Sequence, residues 1–207
     1  MNDVHPPNKR ALARQRRHDE ILAAALQIVV DEGVDALTVH LLARRMKCAV
    51  GAMYRYFAGK DALILALQEQ AVDRFADHLD AELSGQGLER VLSAFFAWHS
   101  FAQVEPALYS LLDAALSSRK RLLDDEGARE VDARLRAVLD VCAGSLEGAA
   151  NAGLLAPGNA QLRTYALWAA MHGAEHFQKR DDYAGVASAD VREELLLTLL
   201  RGWGASL

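Results

Sequence analysis

One periodicity constrains this chain more than any other feature. Between its breaks, apolar residues recur at helical spacing, and no segment alternates convincingly with period two. Ile21, Leu22, Ala25, Ile28 and Val29 form one stripe of a helix expected over 11–32, which Gly33 ends. Thr38 is placed to N-cap a short helix reaching Lys47, with Val39, Leu42, Ala43 and Met46 on one face. After a tight break at Cys48, a third short helix carries Val50, Met53 and Tyr54, and Asp61 is expected to cap a long fourth helix ending near Leu83. Ser84-Gly85-Gln86-Gly87 reads as a linker. Further helices are expected over 88–103, 106–118, 125–152, 160–179 and 190–203, with Pro106 suited to a first turn and Gly153 and Pro157-Gly158 marking a loop. The first eight residues, with Pro6 and Pro7, read as a mobile arm. The expectation is an all-α fold of about nine helices with short connections.

Composition agrees. The 207 residues are 52% hydrophobic and 25% charged, with four prolines, as in a helix-rich globular protein. No apolar run reaches the roughly eighteen residues of a membrane span, so no membrane partner is expected. Lys9, Arg10, Arg14, Arg16 and Arg17 lead into an amphipathic helix rather than a secretion signal. The two cysteines, Cys48 and Cys142, lie far apart and suggest no disulfide framework, so a cytoplasmic location is expected. The net charge of −5 is unevenly distributed: residues 1–60 carry +4 and the remainder −9. A basic head on an acidic body suits a head that meets a polyanion.

The most informative segment runs from Thr38 to Leu63. Two short helices cannot bury much by themselves, so the preceding helix must supply a third wall through Ile21, Ala25 and Ile28, against Leu42, Ala43, Met46 and Phe57. Such a unit projects its last short helix outward, where it fits a major groove. The spacing of Leu37-Thr38, Leu42-Ala43, Gly51, Tyr54, Tyr56-Phe57, Lys60 and Leu63 resembles the TetR family of transcriptional regulators. The likeness covers residues 15–65. Lys47 stands where the family has a glycine in the turn, and Ala49 where it has a small polar cap.

The resemblance implies an N-terminal helix-turn-helix DNA-binding domain over 9–62 and a ligand-binding and dimerisation domain over 63–207. It places Val50, Gly51, Ala52, Tyr54 and Arg55 at base edges, with His40 near the groove, and Thr38, Tyr56 and Lys60 at phosphates. Arg55 is the best candidate for reading guanine, while Val50 and Ala52 suit thymine methyls. Arg14, Arg16 and Arg17 are candidates for following the DNA backbone or entering the minor groove. The implied function is a homodimeric regulator, usually a repressor, on a palindromic double-stranded DNA operator, released by a small-molecule effector.

In the body, Leu162, Tyr165, Ala166 and Ala169 on one helix, with Leu195, Leu196, Leu199 and Trp203 on another, present apolar faces suited to a dimer interface. Phe95, Trp98, His99, Tyr109, Trp168 and His172 are candidates to line an effector cavity, and their apolar bulk points to a hydrophobic effector. His172-Gly173-Ala174-Glu175-His176 also matches the arrangement of inverted zinc proteases, so a metal-dependent hydrolase is the alternative reading. Its third ligand is not identifiable in the sequence. A body that binds only protein is a further possibility. No cofactor, resident metal or enzymatic activity is expected.

Overall fold

The computed structural model describes residues 9–117 and 122–207. The expected arm and the last position of the 106–118 helix, Ser118, lie outside these. Among the described residues there are ten α-helices, two 3-10 turns and no strand. The head is α1 (Lys9–Glu32), a 3-10 turn (Val34–Ala36), α2 (Val39–Arg45) and α3 (Val50–Met53). The body is α4 (Lys60–Glu82), α5 (Leu88–Val104), α6 (Pro106–Ser117), α7 (Asp125–Asn151), α8 (Ala160–Phe177), a second 3-10 turn (Gln178–Arg180), α9 (Asp181–Ala184) and α10 (Ser188–Gly202). The four-residue α9 was not expected: a single turn is too short to show a 3.6-residue period.

The head closes as the apolar stripes require. Ile21, Leu22, Ala25 and Ile28 of α1 are buried with Leu37, Val39, Leu42, Ala43, Met53 and Phe57. Thr38 caps α2, its hydroxyl accepting from the Leu41 amide at 3.1 Å. Arg45, at the last turn of α2, reaches back to the end of α1 and donates to Asp31 at 2.6 Å and Glu32 at 2.7 Å.

Asp61 does not cap α4. Gly59 holds that position without a side-chain bond, and Asp61 lies in the first turn, where a carboxylate favours the positive end of the helix dipole. From there α4 buries Leu63, Ile64, Leu67, Ala71, Val72, Phe75 and Leu79 on one face, packing against α1, α5, α6 and α7. Full burial of side chains this size is worth about 1.5–3 kcal/mol each. Its first turns join the head core and its later turns the body core, which together form one apolar cluster. In the body, α7 packs on α4, α5 and α8, and α8 packs on α10. The chain end is pinned where the Ala156 amide donates to the Trp203 carbonyl at 2.7 Å and Arg163 lies over the Trp203 ring.

Candidate nucleic-acid interface and effector pocket

The turn between α2 and α3 is a Schellman motif. The Cys48 amide donates to the Ala43 carbonyl at 3.0 Å and the Lys47 amide to Arg44 at 3.2 Å. This geometry needs a left-handed residue between helix and exit, and Lys47 takes it with φ 52°, the one positive-φ residue other than glycine among those described. Ala49 starts α3 with no side-chain cap. The two departures from the glycine-and-cap pattern are thus accommodated with the turn intact.

The turn presents α3 outward. Gly51, Tyr54 and Arg55 are exposed, as are Thr38 and His40 beside them, while Met53 is buried and anchors the helix. Val50, Ala52 and Tyr56 are half-buried and pack partly against the head core. A Cβ built on Gly51 meets nothing within 4 Å, so the protein's own packing does not require glycine there. The Lys60 ammonium donates to the Asp35 carbonyl at 2.9 Å, which leaves it two further donors at the start of α4. Arg17, on α1, pairs with Glu20 at 2.7 Å.

The body holds an apolar cavity of about 40 Å³, lined from α4, α5, α7 and α8 by residues that include Phe75, Phe95, Trp98, Cys142, Trp168 and Met171. Three of the six expected ligand residues, Phe95, Trp98 and Trp168, therefore line it. His99, Tyr109 and His172 do not. His99 Nδ1 lies 2.6 Å from Glu175 Oε1, which also accepts from Arg192 at 3.0 Å. Tyr109 and His172 instead join Trp98 and Trp168 in an aromatic cluster with ring centroids 5.4–6.1 Å apart. Burial, with the carboxylates of Asp113 and Glu175, pushes the Tyr109 phenol well above its ordinary range. Burial likewise pushes the Cys142 thiol up to about 11. The Tyr109 hydroxyl and the indole N–H groups of Trp98 and Trp168 are buried without hydrogen-bond partners. Phe75, Cys142 and Met171 were missed from sequence because they come from three different helices and share no local pattern.

The zinc-protease arrangement is not assembled. Glu175 is turned to His99 and Arg192, and the group that converges around His172 and His176 contains Asp113 of α6 instead.

The expected dimer residues divide. Leu162, Tyr165, Ala166 and Ala169 form an exposed face of α8, Leu162 being 68% exposed, and Gly173 extends it one turn further. Leu195 and Leu199 are half-buried. Leu196, by contrast, is 3% exposed and belongs to the core of this chain, because α10 packs that side inward on α8. Trp203 is half-buried, its ring engaged by Arg163 of the same chain.

A three-helix head that exposes one short helix, carried on an all-helical body with an apolar cavity, is the architecture of a helix-turn-helix protein. Residues 21–67 match the family model described as bacterial regulatory proteins, tetR family. The HTH-type transcriptional regulator HbdR of Aromatoleum sp. (strain CIB) is similar, 22% identical over 174 residues, covering 79% of this chain and 72% of HbdR. The crystal structure of a bacterial regulatory protein in the tetR family from Rhodococcus RHA1 shares the fold, with a TM-score of 0.74 at 19% identity over 92% of this chain and 98% of that one. AibR, in complex with isovaleryl coenzyme A and operator DNA, does so with a TM-score of 0.70 at 15% identity, covering 89% and 98%. Residues 21–67 therefore carry a tetR-family regulatory region, and the chain as a whole shares the fold of the TetR-family structures.

Proposed function

We propose that the chain is a homodimeric cytoplasmic repressor that binds a palindromic DNA operator through α3 and is released by a small hydrophobic effector. The observation that carries the DNA-binding half is Gly51: it sits on the exposed face of α3, and nothing in the protein forbids a side chain there. Close approach by a base pair supplies the missing reason for glycine. Arg55 reads a base edge, with Val50, Ala52, Tyr54 and His40 around it, and Thr38, Tyr56 and Lys60 contact phosphates. The exposed face of α8 pairs with its copy, with Leu195 and Leu199 of α10 alongside, to set the two heads for successive major grooves about 34–36 Å apart.

The release mechanism follows from α4. Phe75 lines the cavity, while Lys60 on the same helix is bonded to Asp35 of the head. We place the head–body boundary at residues 62/63, inside the first turn of this shared lever. A ligand-sized site is about 300–1,000 Å³, so a cavity of 40 Å³ describes the closed, DNA-binding state. An effector that enters must push α4, α5, α7 and α8 apart, and the displacement of α4 carries to the head. Occupying the cavity also offers acceptors to the unpartnered indole groups of Trp98 and Trp168, each costing about 1–3 kcal/mol while unsatisfied. AibR is bound to isovaleryl coenzyme A. Short acyl thioesters are therefore the first effector class to test here: the acyl chain suits the apolar lining and the carbonyl suits the N–H donors.

The test is fluorescence anisotropy with a DNA fragment from upstream of the chain's own coding region. Gly51→Ala is expected to keep the melting temperature and lose operator affinity by about tenfold or more. Unchanged affinity would remove α3 from the interface. Acyl thioesters should release the DNA; a failure of every small apolar ligand to release it or to raise the melting temperature would favour a body that binds only protein, the second reading that the small cavity supports.

A further inference from the structure

We propose that Asp113, His172 and His176 form a binding site for one divalent transition-metal ion of the zinc class, joining α6 to α8. His172 and His176 stand one helical turn apart on α8, so their imidazoles project side by side, with ring centroids 5.3 Å apart. Asp113 arrives from α6, fifty-nine residues earlier by sequence number, and completes what the histidine pair lacks. One atom, Asp113 Oδ1, lies 2.5 Å from His172 Nε2 and 2.6 Å from His176 Nε2. The three donor atoms lie within 4.8 Å of one another.

His176 makes an aligned hydrogen bond to Asp113, but His172 does not. Its Nε2 approaches the oxygen without hydrogen-bond alignment, and both of its ring nitrogens are buried with no hydrogen-bond partner. The 2.5 Å approach of His172 Nε2 to the carboxylate oxygen is attractive when that nitrogen carries a proton and repulsive when it does not, and a shared cation removes the repulsion. The donor set is two imidazole nitrogens and one carboxylate oxygen, the mixture that zinc accepts with bonds of about 2.0–2.2 Å. A tetrahedral ion holds such atoms about 3.3 Å apart, so binding moves the carboxylate oxygen outward from the 2.5 and 2.6 Å at which it meets the two nitrogens. The site is reachable: the side chains of His172, Asp113 and His176 are 14%, 20% and 42% exposed. Three protein ligands leave a fourth coordination position open. Glu175 pairs with His99 and Arg192, so the site binds an ion without the general base of a hydrolase.

The location gives the ion a structural consequence. Helix α6 packs against α1 and α4, and α8 carries the exposed face described above. An ion at this site ties the helix next to the head to the helix next to the partner.

The experiment is equilibrium dialysis of the purified, tag-free full chain against zinc chloride, with cobalt chloride as a spectroscopic probe. The wild type is expected to bind one zinc per chain, and cobalt is expected to give visible absorption bands typical of a four-coordinate nitrogen–oxygen site. His176→Asn, at the most exposed ligand, should weaken zinc binding by about a hundredfold, as should Asp113→Asn. His78→Asn, remote from the cluster in sequence and paired with Ser100, serves as a control and should change nothing. Absence of stoichiometric zinc in the wild type, or binding equal in wild type and His176→Asn, overturns the site. Should a variant fail to fold, anomalous scattering at the zinc edge from wild-type crystals decides the matter: a peak between Asp113 and the two histidines supports the site, and a peak elsewhere or none refutes it.

Discussion

At the scale of single residues, Lys47 is where sequence and geometry disagree most directly. The Schellman turn asks for a left-handed backbone at this position, and an L-residue other than glycine takes it at a cost of about 1–2 kcal/mol. Glycine would remove that cost while losing about 0.5–1 kcal/mol to the flexibility it brings to the unfolded chain. The balance favours glycine: Lys47→Gly is expected to raise stability by about 0.5–1 kcal/mol in urea unfolding, and a lower midpoint would show that Lys47 makes compensating contacts. The cysteines offer a second check. Cys142 lines the cavity with its thiol pushed up to about 11, so it is almost wholly protonated at neutral pH. In native protein, maleimide should modify Cys48 first and Cys142 only slowly. Equal rates would mean that the cavity opens freely to solvent.

Single elements are held to one another by contacts that hydrophobic pattern does not encode. The two ends of the α1–α2 corner meet through Arg45, Asp31 and Glu32. Hydrogen bonds from Arg45, then from Gln27, hold the Asp31 carboxyl below its ordinary value. A group with a lowered folded-state pKa contributes stability above its unfolded value and loses it as pH falls through the folded one. A double-mutant cycle of Arg45→Ala and Asp31→Ala should therefore show favourable coupling at pH 7 that fades in the acid range below about pH 4. The coupling will be small, because the pair is exposed to solvent and salt. Coupling that persists unchanged in acid would exclude the ion pair as its source. Helix α3 illustrates the opposite case: four residues, uncapped, with one buried anchor in Met53. It is positioned by the turn before it and the core beneath it rather than by its own helical propensity.

Across the whole molecule, the open question is what covers α8. Its face of Leu162, Tyr165, Ala166, Ala169 and Gly173 combines apolar side chains with small residues that allow a second helix to come close. Leu162→Glu is expected to leave the helical content and melting behaviour of the isolated chain intact, since the side chain is 68% exposed. In sedimentation velocity the same variant should be a monomer, and its operator affinity should collapse, because one head contacts only one half-site. A variant that remains dimeric would move the interface to another face.

The sequence by itself determined what rests on local pattern. The helices follow from 3.6-residue periodicity and their breaks, the head from a spaced run of residues, and the strained Lys47 and uncapped Ala49 from their places in that run. Tertiary structure decided everything that depends on residues distant in sequence. It turned Leu196 inward, because only the position of α8 tells which side of an apolar α10 is already occupied. It drew His99 to Glu175 and Arg192, since a buried carboxylate must find its partners wherever the fold brings them. And it placed Asp113 beside His172 and His176, because a contact between α6 and α8 is a property of helix packing that leaves no mark on either segment alone.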